Sequence, residues 1–198
     1  MKTAFRALTL LCFALASSSL LHAQAIPAAS RPFALSAFGG ATGTFTGLAG
    51  GKNVGITAGF DITFKPYHSY YFSGEIRGTY PFDDGKVDSQ RNFLYGVKVE
   101  RYFNNLHPYV DFLYGRDKID YESPGYPNPA GTLLYIDSVS NIFSVGGGLD
   151  YTLTGHFAIK IDGQFQRLGT PVTSSGSIYS GPITVGVVYR FGSPPLAP

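Results

Sequence analysis

The chain has 198 residues and a formal net charge of +2, with charged residues at 14% and aromatic residues at 15%. Soluble domains carry about 25% charged residues, so this is an unusual surface budget for a water-exposed protein. Near-neutrality excludes a polyanion-binding protein, and a single cysteine excludes a disulfide framework.

Met1 to Ala25 reads as a cleaved secretory signal. Lys2 and Arg6 form the charged start, Ala7 to Leu15 the apolar stretch, and Ala23-Gln24-Ala25 the cleavage site. Cys12 is preceded by Leu11, where a lipid-modified cysteine would want a small residue. Removal of this segment takes away the only cysteine, and the 15 basic residues fall to 13, equal to the 13 acidic ones. No run of about 18 apolar residues follows, which leaves no transmembrane helix. An exported, aromatic-rich, charge-poor chain of this kind has one way to live in a membrane, a closed barrel.

Ile26 to Pro32 reads as a short linker, followed by a first strand over about Phe33 to Gly43. There Phe33, Leu35 and Ala37 share one face, but Phe38 interrupts it and leaves the facing open. Thr44 to Lys52 is a Gly/Thr loop. The second strand sets Val54, Ile56, Ala58, Phe60, Ile62 and Phe64 against Gly55, Thr57, Gly59, Asp61 and Thr63. After a tight turn at Lys65 to His68, Tyr70, Phe72, Ile76 and Tyr80 alternate with Tyr71, Ser73, Glu75, Arg77 and Thr79. Pro81 to Arg91 reads as a polar loop. The fourth strand opposes Phe93, Tyr95, Val97 and Val99 to Leu94, Gly96, Lys98 and Glu100, and the chain turns at Asn104 to His107. The fifth strand, from Pro108 to Tyr114, places Val110, Phe112 and Tyr114 opposite Asp111.

Arg116 to Ser138 is the longest loop, rich in Tyr and Pro. The sixth strand opposes Phe143, Val145, Leu149, Tyr151 and Leu153 to Ser144, Asp150 and Thr152. After Thr154-Gly155-His156, Phe157, Ile159, Ile161 and Phe165 oppose Lys160, Asp162, Gln164 and Gln166. Leu168 to Tyr179 is a loop, and the closing strand puts Ile183, Val185, Val187, Tyr189 and Phe191 on one face. Period-2 alternation repeated eight times, with short and long connections in turn, predicts an all-β fold. It is an eight-stranded antiparallel up-and-down transmembrane β-barrel, with short periplasmic turns and longer extracellular loops. About 11 residues at ~3.3 Å, tilted ~40°, rise roughly 28 Å, enough for the ~25 Å apolar band.

One alternate set carries Asp61, Glu75, Arg77, Lys98, Glu100, Asp111, Asp150, Lys160, Asp162 and Arg190. The other is nearly all Val, Ile, Leu, Phe and Tyr. A soluble barrel would bury the apolar set. Here the charged set is rich in small residues and carries both signs, which suits a narrow lumen of paired charges. The apolar set ends in aromatics: Phe64, Tyr70 and Phe191 on the turn side, Tyr80, Phe93 and Tyr114 on the loop side. These predict two interfacial girdles.

The signal, the eight strands and the closing Val185-Gly186-Val187-Val188-Tyr189-Arg190-Phe191 resemble small outer-membrane barrels of the OmpA transmembrane domain, OmpX and opacity-protein group. The resemblance is architectural and brings no catalytic motif. It implies a barrel over 33–191, a cell outer-membrane location, a monomer in lipid and lipopolysaccharide, and use of the barrel-assembly machinery. Gly192 to Pro198 departs from the family, whose terminal aromatic often ends the chain, and is too short for a peptidoglycan-binding domain.

No cofactor, metal or nucleic acid is expected. His68, His107 and His156 fall at the three short turns, roughly 11 Å apart, and read as polar turn residues before a metal site. His68-Ser69 lacks a carboxylate to orient the histidine, so no acyl-transfer enzyme is expected. Asp83 to Asp88 lacks the spacing of a calcium loop. Tyr121, Tyr126 and Tyr135 are candidate loop contacts. The expected function is structural, or surface interaction through the loops, with a narrow pore as the alternative and a lipid-active enzyme behind it.

Overall fold

A computed structural model describes residues 33–64, 66–83 and 87–192. The signal, the linker, residues 84–86 of the calcium-loop-like stretch and the tail beyond Gly192 lie outside them. Ten strands follow one another: β1 (Phe33–Phe45), β2 (Lys52–Phe64), β3 (Tyr70–Asp83), β4 (Asp88–Arg101), β5 (Leu106–Tyr121), β6 (Tyr126–Pro127), β7 (Leu134–Tyr135), β8 (Asp137–Thr152), β9 (Phe157–Gly169) and β10 (Ser177–Arg190). Eight close a barrel in the order β1-β10-β9-β8-β5-β4-β3-β2, every neighbour antiparallel. β6 and β7 form a small hairpin within the longest loop. No helix among the described residues is long and apolar enough to cross a membrane.

The barrel is inverted relative to a soluble one. Along β2 the exposure alternates without a break, from Val54 and Ile56 through Phe60, Ile62 and Phe64 outside to Thr57, Asp61 and Thr63 inside. The same pattern carries Ile159, Ile161 and Phe165 out of β9, and Ile183, Val185, Val187 and Tyr189 out of β10. An apolar belt of this extent is stable only against an apolar medium, so the belt is the membrane-facing surface. Phe64, Tyr70 and Phe191 stand exposed on the turn side and Tyr80 and Phe93 on the loop side. Tyr114 is half-buried, edge-on to Tyr95 and tilted against Phe143 at 5.0 Å.

The seam between β1 and β10 is where the sequence pattern was ambiguous. Ser36 to Phe45 pair with Arg190 to Gly181 in unbroken register. Phe33 and Leu35 face outward, and Phe38 is not a break in the pattern but an inward residue, 5% exposed. At this seam Gly40 lies opposite Gly186, and a Cβ on either would fall 2.3–2.4 Å from a carbonyl oxygen of the facing strand. Only glycine lets the closing strands approach so closely.

Several strands outrun their predicted bounds. β4 begins at Asp88 rather than Phe93, β5 continues to Tyr121, and β8 begins at Asp137. Most of the expected loops 81–91 and 116–138 near the barrel is therefore ladder. The reason is chemical: beyond the apolar belt the outward face becomes charged, and alternation of hydrophobicity vanishes while pairing persists. Arg91 binds Asp120 across β4 and β5, and Lys118 binds Asp120 at 2.7 Å and Asp137 at 3.1 Å. The two cross-strand pairs, Arg91–Asp120 and Lys118–Asp137, support a ladder as apolar pairs do.

Candidate functional site: the lumen

All ten inward charges expected from the alternation are buried inside the barrel, none more than 8% exposed. Arg77 on β3 is the hub. Its Nε donates to Glu75, its Nη1 to Asp162 Oδ1 at 2.7 Å, and its Nη2 to Asp162 Oδ2 at 3.3 Å and Asp111 Oδ2 at 3.4 Å. The fork geometry matches Asp162 bidentately, as arginine allows and lysine does not. Gln164 Nε2 ties Asp111 (3.0 Å) to Asp162 (3.1 Å), and Tyr109 donates its hydroxyl to Asp162 at 2.7 Å. Nearer the turns, Lys98 donates to Asp61 at 2.5 Å and lies 4.0 Å from Glu100, which also accepts from Tyr102. Lys160 sits 3.6 Å from Asp150.

Two residues that the alternation did not single out complete this network. Phe38 and Tyr109 lay aromatic faces among the cations. The Lys160 Nζ stands 3.9 Å from the Tyr109 ring centroid and 4.7 Å from that of Phe38, with Arg77 over Phe38 at 5.4 Å and Lys98 over Tyr109 at 5.2 Å. Desolvated cations gain about 2 kcal/mol from such faces, which compensates the hydrogen bonds that the Lys160 Nζ lacks. Room for the rings comes from glycine on the neighbouring strand. Phe38 pairs with Gly59 and Tyr109 with Gly148, where a Cβ would come within 2.5 Å of the ring's Cζ or of the phenol oxygen.

Strand β5 serves as a ruler for the lumen. From the loop side inward it presents Tyr121, Ile119, Asp117, Leu113, Asp111, Tyr109 and His107. Leu113 joins Leu94, Ile142 and Leu168, all fully buried, in an apolar cluster that extends upward through Ile119, Ile178, Val172 and Leu48. A charged network thus lies under an apolar stopper. On the other side of the barrel a chain of hydroxyls, Thr184–Thr42–Thr57–Thr79, links four strands at 2.6–2.9 Å. On the turn side a small open cleft is lined by Ser36, Lys98, Glu100, Tyr102, Asp150 and Arg190.

The remaining candidates depart from expectation. Arg190 binds no carboxylate among the described residues; it donates to Thr152 at 2.9 Å and to His107 Nδ1 at 3.1 Å. A guanidinium only donates, so Nδ1 accepts and Nε2 carries the proton, directed at the Asn104 carbonyl 3.2 Å away. His107 is therefore a lumen residue, stacked on Tyr102 at 3.8 Å, and not a headgroup-level turn residue. Its position one step into β5 sets that inward facing. His68 is exposed in a left-handed turn, and His156 is exposed with Nδ1 donating to the Arg190 carbonyl. No three His, Cys, Asp or Glu side chains among the described residues converge on a metal position.

The loop tyrosines are likewise not free contact surface. Tyr121 is buried and its hydroxyl bonds Thr170 (2.6 Å) and Ser138 (2.9 Å). Tyr126 and Tyr135 pair across β6–β7 and pack, partly buried, on the apolar cluster. The hairpin exposes Leu133, Leu134 and Ile136 instead.

This closed eight-strand barrel has counterparts among known proteins. The profile of the outer membrane protein beta-barrel domain matches residues 11–191. The chain belongs to that family. This outer-membrane barrel has structural neighbours at low sequence identity. Neisserial surface protein A aligns over 81% of this chain and 98% of its own, at 15% identity and a TM-score of 0.51. Ail, the attachment invasion locus protein of Yersinia pestis, aligns over 80% and 97% at 15% identity with TM-score 0.45, and OprG of Pseudomonas aeruginosa over 81% and 96% at 10% identity with TM-score 0.40. These likenesses concern the fold. Comparison with curated protein sequences returns no match. The barrel is thus a bacterial outer-membrane protein, its apolar belt in lipid.

Proposed function

We propose that this outer-membrane barrel is a non-enzymatic protein with a closed lumen, acting in envelope integrity or surface interaction through its loops. The observation that carries the reading is the stack inside the barrel: an apolar cluster around Leu94, Leu113, Ile142 and Leu168 above the Arg77 network. A conducting path would have to displace close-packed aliphatic side chains and then separate buried ion pairs, and each step costs several kcal/mol. A narrow pore is therefore disfavoured, although a small cleft opens on the turn side.

In this account the barrel stands as a monomer in lipid and lipopolysaccharide, and its closing strand is read by the barrel-assembly machinery. It takes no nucleic acid. The loop surface that meets the outside is the β6–β7 hairpin with Leu133, Leu134 and Ile136, all more than half exposed, for an extracellular ligand of unassigned chemistry. The test compares a deletion strain complemented with wild type, with an L133S/L134S/I136S variant, or with an Arg77→Met variant. Loss of detergent resistance or surface attachment on deletion, with the hairpin variant defective in attachment alone, supports the reading. Lipid A altered by the wild-type protein would overturn it.

A further inference from the structure

Above the loop-side rim of the apolar belt the outward face of β4, β5 and β8 is charged, and most of that charge balances itself. Arg91 binds Asp120, and Lys118 binds Asp120 and Asp137. Two arginines stand outside this balance. Arg116 on β5 and Arg167 on β9 are both exposed, and neither meets an acid among the described residues. Arg116 lies between Phe93 of β4 and Asn141 of β8, with Tyr114 below it and Lys118 above. Arg167 lies between Phe143 of β8 and Tyr179 of β10, with Phe165 below it and Gly169 above. Neither set of neighbours holds a carboxylate.

The two charges flank one place on the barrel wall. Asn141 and Phe143 are successive outward residues of β8, so the register sets the Arg116 and Arg167 Cβ atoms two strands and one outward step apart, roughly 12 Å. Two arginine side chains bridge that distance from opposite sides. Arg116 already leans across, because its Nη1 donates to Asn141 Oδ1 at 2.7 Å on the strand between them. That contact uses one of its five N–H donors and leaves the rest of the fork for a ligand. Beneath this place the belt is continuous: Phe143, Val145 and Phe165 are exposed, and Tyr179 stacks on Phe165 at 5.3 Å. Uncompensated positive charge at the edge of an apolar field fits an amphiphile whose anionic group borders its hydrocarbon. The planar guanidinium suits phosphate in particular, which it grips through two parallel bonds.

We propose that Arg116 and Arg167 clamp a phosphate of a phosphorylated glycolipid of the outer leaflet, its acyl chains lying on Phe143, Val145 and Phe165. Such a clamp presupposes the reading of this barrel as a monomer in lipid and lipopolysaccharide, and it gives that lipid a place on the wall. The height of the wall favours a saccharide head over a glycerol one. From Tyr114 to Asp120 the β4–β5–β8 ladder climbs six residues, roughly 15 Å at ~3.3 Å each and ~40° tilt. A glycerophospholipid head covers only its foot, whereas sugar hydroxyls extend up to the paired charges of Lys118, Asp120 and Asp137.

The test titrates the full-length barrel, refolded in detergent micelles, with diphosphoryl lipid A, with lipid A stripped of its phosphates, and with phosphatidylglycerol. Bound lipid is counted by native mass spectrometry. Wild type is expected to retain one diphosphoryl lipid A and to hold the other two lipids at least about tenfold more weakly. Arg116→Gln and Arg167→Gln, both at exposed positions, should refold as wild type does and each weaken retention about tenfold. Lys118→Gln, whose charge Asp120 and Asp137 already match, should change it by no more than about twofold. The proposal is overturned if phosphate-free lipid A or phosphatidylglycerol binds as tightly as the diphosphoryl form. It is also overturned if either arginine variant binds like wild type, or if Lys118→Gln loses as much as they do. Lipid retention in micelles does not depend on attachment or detergent resistance of cells, so the clamp and the proposed cellular role can fail separately.

Discussion

Arg77→Met removes the hub of the lumen network and keeps a side chain of similar length. Arg77 is 3% exposed and bonds three carboxylates, Glu75, Asp111 and Asp162. These acids do not suffer equally. Asp162 retains the Tyr109 hydroxyl at 2.7 Å and Gln164, and Asp111 retains Gln164 at 3.0 Å. Glu75 loses the partner of Oε1, and its Oε2 has none to begin with. Breaking a buried ion pair by removing one partner costs about 3–5 kcal/mol. With a urea slope of about 2 kcal/mol/M, the unfolding midpoint of protein refolded in vesicles should fall by roughly 1.5–2.5 M. Adding Glu75→Gln to Arg77→Met should restore more of this than adding Asp111→Asn. A loss below about 0.5 kcal/mol, or equal rescue by the two second changes, refutes the assignment of Arg77 as hub and Glu75 as its most dependent partner.

The other expectations concern shape, facing and the loop core. Gly59→Ala should cost about 1–3 kcal/mol by driving a methyl against both the Phe38 ring and the Ile76 carbonyl oxygen, and Phe38→Leu in the same chain should relieve only the part due to the ring, read as urea midpoints. Val187→Arg, in the lipid-facing belt of β10, should cost about 2–4 kcal/mol in refolding into bilayers, while Phe191→Arg at the rim should cost no more than about 1 kcal/mol. Tyr121→Phe removes hydrogen bonds to Ser138 and Thr170 and should leave residues 122–136 more readily nicked by protease, with the barrel itself intact.

The fold was readable because its determinant is local. In β2, β9 and β10 each residue's chemistry states which medium it faces, and the ten inward charges follow from parity alone. Where one face loses its contrast, so does the reading. The upper reaches of β4, β5 and β8 carry charge outside and mixed residues inside, and only the register of Arg91, Lys118, Asp120 and Asp137 shows that they are paired strands. Phe38 was illegible for a different reason. An aromatic in the lumen is explained by what lies across from it, Gly59 and the ends of Arg77 and Lys160, and those are contacts between strands far apart in sequence. His107 and Asp117 share this dependence. A histidine near a turn and an aspartate in an expected loop become lumen residues once β5 is extended by two residues at its start and several at its end. The tyrosines of the long loop show the converse, since their amphipathic character serves the loop's own packing, with hydroxyls bonded and rings buried.

The central claim is that the lumen is shut by aliphatic packing over an ion-pair network. Planar-bilayer recording of the refolded wild-type protein tests it most directly, with a Leu94→Ala/Leu113→Ala variant as the opened control. The account predicts no discrete conductance steps from wild type and measurable leak from the variant; steady single-channel currents from wild type, unchanged by the double substitution, would contradict it.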